Sequence, residues 1–147
     1  MLKKIYNEVT REWDTSVEEA LKSFIRLPAL SPDFDKKWEE NGVLLKALEE
    51  AKAWAEKQGI KGLRCEIIKD DGFTPCLFIE VDATSDKKFE RSVFFYGHLD
   101  KQPPNEGWDP DKSAWEPVIQ NGRLYGRGAV DDAADIRNPA SALCRVV

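Results

Sequence analysis

Two hydrophobic periods divide the chain. Val17, Leu21, Phe24 and Ile25 recur on one helical face, and Pro28 limits that helix. Thr15-Ser16-Val17-Glu18, just ahead, has the form of a capping box, in which the Thr15 hydroxyl and Glu18 carboxylate satisfy orphan backbone donors. A loop through Ser31-Pro32-Asp33 leads to a second amphipathic segment from Trp38 to Gln58. Leu45, Leu48, Ala51 and Ala55 form its stripe, and Gly59 is a natural terminator. Beyond it the period shortens. Leu63 to Ile68 and Cys76 to Val81 read as strands around a turn at Asp70-Asp71-Gly72. After polar residues 84–90, the apolar run Val93-Phe94-Phe95-Tyr96 reads as a buried strand. Residues 102–111, with three prolines and a glycine, read as a loop. Trp115 to Ile119, Asn121-Gly122 and Leu124-Tyr125 then suggest a hairpin leading into Gly126-Arg127-Gly128. Helices come first and strands mostly afterwards, so the expected fold class is α/β, a sheet packed with helices.

Composition narrows the function classes. The 147 residues fit one domain, a length at which folding buries roughly 70% of the unfolded surface. A net charge of -5, with basic doublets interleaved among acids, argues against a nucleic-acid partner, which needs clustered positive charge. No apolar run has the length of a membrane span or of a signal-peptide core, so no membrane partner is expected. Cys65, Cys76 and Cys144 are odd in number and lack metal-finger spacing. They read as reduced thiols of a cytoplasmic protein.

The candidate chemistry lies in Tyr96-Gly97-His98-Leu99-Asp100 and in Asp131-Asp132. His98 is the only histidine in the sequence. On a continuing strand, His98 and Asp100 face the same side at its carboxyl end, the edge where ligands gather in open α/β sheets. A histidine that ligates zinc has its second ring nitrogen held by a carboxylate or carbonyl, which Asp100 can supply. Alone, a His-x-Asp pattern is more simply a loop histidine, and adjacent acids are common at helix starts. Gly126-x-Gly128 is not a dinucleotide fingerprint, because Asp131 stands where its third glycine belongs, and a carboxylate there repels phosphate.

The combination is more specific than its parts. A strand ending in Gly97-His98-Leu99-Asp100-Lys101-Gln102-Pro103 precedes Gly107-Trp108-Asp109, a hairpin, and then Leu124-Tyr125-Gly126-Arg127-Gly128-Ala129-Val130-Asp131-Asp132. This resembles the zinc-dependent exopeptidase and deacylase family of carnosinase-type dipeptidases, glutamate carboxypeptidase, acetylornithine deacetylase and succinyl-diaminopimelate desuccinylase. The Gln-Pro and Gly-Trp loop looks most like the dipeptidase branch, and Phe24-Ile25-Arg26-Leu27-Pro28 looks like the family's early helix end. The resemblance implies that His98 is a terminal metal ligand, Asp100 its catalytic orienting partner, and Asp131 a bridge between two zinc ions. Asp132 would support the site across a strained peptide bond. It further implies hydrolysis of a peptide or amide bond near a free carboxylate, with a small peptide or acyl-amino-acid as substrate. Manganese or cobalt can replace zinc in such a mixed His/carboxylate set.

By the same resemblance, residues 1–132 are the amino-terminal part of the catalytic domain, and the domain is incomplete. The family's general base, its further acidic ligand, its distant histidine and its lid domain have no counterpart here. General-base loss alone forfeits a factor of about 100–10,000 in rate, so the chain by itself is expected to be inactive. Residues 133–147 depart from the family pattern, with Pro139 interrupting an expected helix. They read as an atypical tail, out of frame or native and irregular. Two rival readings stay open: a non-catalytic protein that pairs with a full-length homologue, and a gene remnant. A sheet lacking later strands would expose an edge prone to self-association.

Overall fold

The computed structural model describes residues 2–83 and 92–131. The chain opens on α1, Leu2–Glu12, which continues through a π-helical turn, Trp13–Val17, into α2, Glu18–Arg26. Here the capping-box expectation fails. Helix already runs through Thr15, so no N-terminus needs capping there. The Thr15 hydroxyl instead donates to Arg11 O at 2.8 Å, and the Glu18 carboxylate accepts from Lys22 Nζ at 2.6 Å. The widened turn is visible where Glu18 N–H reaches Trp13 O, five residues back.

The expected helix from Trp38 to Gln58 is divided into α3, Trp38–Asn41, and α4, Val43–Lys57. Gly42 takes a left-handed φ of 66°, and the Asn41 side-chain oxygen accepts from Val43 N–H at 2.9 Å. The stripe is shifted as well: Leu44, Ala47, Leu48, Ala51 and Ala55 are buried, whereas Leu45 is only half-buried. Restarting the helix at Val43 sets its rotation, and that places Leu44 inward.

β1, Leu63–Ile68, and β2, Cys76–Val81, pair antiparallel with Leu63 opposite Val81 and Ile68 opposite Cys76. Leu63, Cys65 and Ile67 alternate inward with Leu77, Ile79 and Val81, the period-two pattern of a half-buried hairpin. Cys65 is half-buried and Cys76 exposed, both free thiols, and burial pushes the Cys65 thiol up from its ordinary value. β3, Val118–Gln120, and β4, Arg123–Tyr125, form a second antiparallel hairpin. Its two-residue turn has positive φ at both Asn121 (52°) and Gly122 (71°). That turn type twists in the sense of the flanking strands, so the sequence signal is matched.

Helices thus combine with two small antiparallel sheets, a mixed helix-and-sheet arrangement as the α/β expectation has it. The core joins Leu21, Phe24 and Ile25 of α2 to Leu44, Leu48 and Ala51 of α4, with Leu99 inserted from the site segment. Among the described residues, no helix is long and apolar enough to cross a membrane.

The strand expected at Val93–Tyr96 is not formed. Residues 92–100 lie outside any ladder, and Phe94 and Tyr96 are 80% and 81% exposed. A strand exists only through a neighbour's hydrogen bonds, and neither hairpin pairs with this run. The segment joins the fold one step later, where Leu30 and Lys101 make a parallel bridge.

Candidate metal centre

From Gly97 onward, alternation survives without a ladder. Leu99 and Lys101 are buried, while His98 and Asp100 are half-exposed. Burial of Leu99 in the core fixes the phase of the segment and turns both polar side chains to the other side. His98 Nδ1 lies 3.0 Å from the Asp100 backbone oxygen and 3.2 Å from its carboxylate Oδ1. Both neighbours are acceptors, so they select the tautomer with the proton on Nδ1 and direct the Nε2 lone pair outward.

That lone pair faces Asp131. Nε2 stands 3.8 Å from Asp131 Oδ1, too far for a hydrogen bond. Two ligand atoms of a tetrahedral zinc ion, each about 2.0–2.2 Å from the metal, stand roughly 3.4 Å apart. Closing the remaining gap takes a small swing of Asp131, whose side chain is 63% exposed. The donor chemistry fits zinc, but the donor count is short. Among the described residues no group of three or more His, Cys, Asp or Glu side chains surrounds a common point. A structural site wants four ligands and a catalytic one three plus water. Asp132, the expected supporting residue, lies outside the described residues, as do residues 133–147 and Cys144.

Asp131 is delivered by the second hairpin. After β4, Gly126 passes so close to α2 that an added Cβ would lie 2.6 Å from Ile25 Cγ2. Gly128 follows with φ at 82°, packed on Phe24 and Lys101. Arg127, between them, donates its backbone N–H to Ala114 O at 2.8 Å. The glycines of this segment therefore serve close packing on α2.

Two features were missed in the sequence. Lys101 is buried, although charge alone would put it at the surface; the signal was its phase, two residues after the apolar Leu99. Trp108, Tyr125, Arg127 and Lys112 line an open basin of about 320 Å³ beside the Pro-rich loop. The Arg127 Nε in that wall is buried without a hydrogen-bond partner.

The segment that carries these residues is similar to known proteins. Residues 94–140 match the sequence model of peptidase family M20/M25/M40, so the resemblance read from the sequence holds over that stretch. Among individual relatives, the succinyl-diaminopimelate desuccinylase of Acidiphilium cryptum is 57% identical over 37 residues, 25% of this chain and 9% of the relative. That of Methylococcus capsulatus is 43% identical over 53 residues, 36% of this chain and 14% of the relative. The putative dipeptidase YtjP of Bacillus subtilis is 51% identical over 35 residues, 24% of this chain and 7% of the relative. The aligned stretches therefore span about a tenth of these relatives' length.

Proposed function

We propose that this chain carries the His98/Asp131 half of a metal-dependent hydrolase site acting on peptide or amide bonds near a free carboxylate. The observation that carries the reading is the chain of contacts Asp100–His98–Asp131. One carboxylate orients the imidazole, and the ring's other nitrogen lies 3.8 Å from a second carboxylate. It lies within the stretch that matches a peptidase family. The relatives' names, desuccinylase and putative dipeptidase, point to small acyl-amino-acid or peptide substrates.

In this reading His98 Nε2 and Asp131 would hold the metal, zinc by preference and manganese or cobalt in its place. Asp100 keeps the His98 proton on Nδ1. Asp132 supports the site from the position after Asp131. A metal there would supply Lewis acidity toward the scissile carbonyl. No general base is assigned within the 147 residues, so the chain alone is held to be inactive, in a cytoplasmic setting that keeps its thiols reduced. A second reading, non-catalytic pairing with another copy or a full-length homologue, draws on the exposed, unpaired run Val93–Tyr96.

Equilibrium dialysis against zinc chloride tests the first reading. His98→Ala and Asp131→Asn should each weaken zinc binding at least tenfold. Equal zinc uptake by the wild type and both variants would sink it. In parallel, the purified chain should release no detectable product from N-succinyl amino acids or dipeptides with zinc present. Substantial zinc-dependent turnover would overturn its inactivity.

A further inference from the structure

Lys101 is a buried charged residue, 3% exposed. Its ammonium donates to Phe24 O at 2.5 Å and Leu27 O at 2.7 Å, and more distantly to Ile25 O at 3.4 Å. These carbonyls lie at and just past the end of α2, where the helix dipole favours a cation; the Phe24 oxygen also accepts from Leu27 N–H at 3.0 Å. The Phe24 ring lies 3.7 Å from Nζ. The backbone of the same residue is also held. Lys101 N–H donates to Ala29 O at 2.8 Å, and its carbonyl accepts from Ser31 N–H at 3.0 Å.

The aliphatic stem meets the other half of the site. An added Cβ on Gly128 would lie 3.2 Å from Lys101 Cε and from Phe24 Cε1. Asp100 is the residue before Lys101, and Asp131 lies three residues after Gly128. One side chain thus supports both segments that bring His98 and Asp131 together.

Burying an ammonium costs several kcal/mol even when it is well bonded. A methionine of similar length would occupy the same space without that cost, but it would lose the directed bonds to the carbonyls at the end of α2. We infer that Lys101 is a positioning residue, which sets the separation of His98 from Asp131 by fixing both of their segments to the end of α2. The inference rests on the metal-site reading above.

The test uses the whole 147-residue chain with ¹⁵N-labelled histidine, since the single histidine gives one pair of ring nitrogens. At pH 8.5 their shifts report the His98 tautomer without metal; zinc chloride is then titrated in. Lys101→Met and Lys101→Gln are compared with Ala51→Gly, a core variant in α4 that loses stability without touching Lys101. Lys101→Met is expected to relax the ring from the Nδ1-protonated form toward a mixture of tautomers and to weaken zinc binding about tenfold. Lys101→Gln should fall between, and Ala51→Gly should resemble the wild type in both readouts. A Lys101→Met chain with the wild-type tautomer overturns the inference, as does one that tracks Ala51→Gly. Loss of fold in both Lys101 variants overturns it too, by assigning Lys101 to stability alone. If zinc moves the ring in none of the chains but Lys101→Met still changes the tautomer, the metal reading fails and the positioning role stands.

Discussion

The hairpin of β1 and β2 and the run Val93–Tyr96 start from comparable local sequence, and they end in opposite states. Both are short, rich in β-branched and aromatic residues, and bounded by polar turns. In the hairpin, each strand supplies the other's ladder, and its inner face packs on α4. Residues 93–96 have no such neighbour among the described residues, and they expose Phe94 and Tyr96 almost fully. Strand propensity measures fitness for a pleated, half-buried surface. It does not create that surface.

The strongest way to break the contrast is to attack the structure that the hairpin relies on. Phe24 is 1% exposed at the centre of the core, and Phe24→Ala should cost about 3–5 kcal/mol in urea unfolding. It also removes the ring beneath Lys101. A loss below about 1 kcal/mol would show that the core is not cooperative with the rest of the chain.

Next in size is Gly126→Ala. Its Cβ would meet Ile25 Cγ2 at 2.6 Å, and overpacking of this kind costs about 1–3 kcal/mol. Thermal unfolding checks it, and an unchanged midpoint would mean that the glycine segment does not press on α2.

Phe94→Asp sharpens the comparison from the other side. An exposed position of this kind should change stability by no more than about 0.5 kcal/mol. The same substitution should lower any self-association seen by sedimentation, because a charge disfavours edge pairing. A large stability loss would reveal packing around Phe94.

The smallest effect belongs to the hairpin surface. Arg64 makes paired bonds to Asp82 at 2.8 and 2.9 Å, and those bonds hold the Asp82 carboxyl below its ordinary value. Its contribution is therefore present above the ordinary carboxylate range and fades as the pH falls through the lowered value. Both groups are exposed, so screening keeps this contribution slight. Asp82→Asn should flatten the acid limb of the stability profile by a barely measurable amount. A marked flattening would mean that the pair is better shielded than its exposure implies.

Local pattern determined much of the molecule. Both hairpins, the turn Asn121-Gly122 and the helical phase of Leu21, Phe24 and Ile25 were legible because their signals lie within a few residues of one another. The contact between His98 and Asp100 was legible for the same reason. The approach of Asp131 to His98 was implied only by resemblance, since 33 positions separate the two. Tertiary structure alone decided the rest. It left Val93–Tyr96 without a ladder, broke the second helix at Gly42 so that Leu44 rather than Leu45 turned inward, and buried Lys101. Each of these outcomes depends on a partner or a rotation set elsewhere. For Lys101 that partner is the end of a helix more than seventy residues away, whose carbonyl oxygens and dipole make a buried ammonium tolerable.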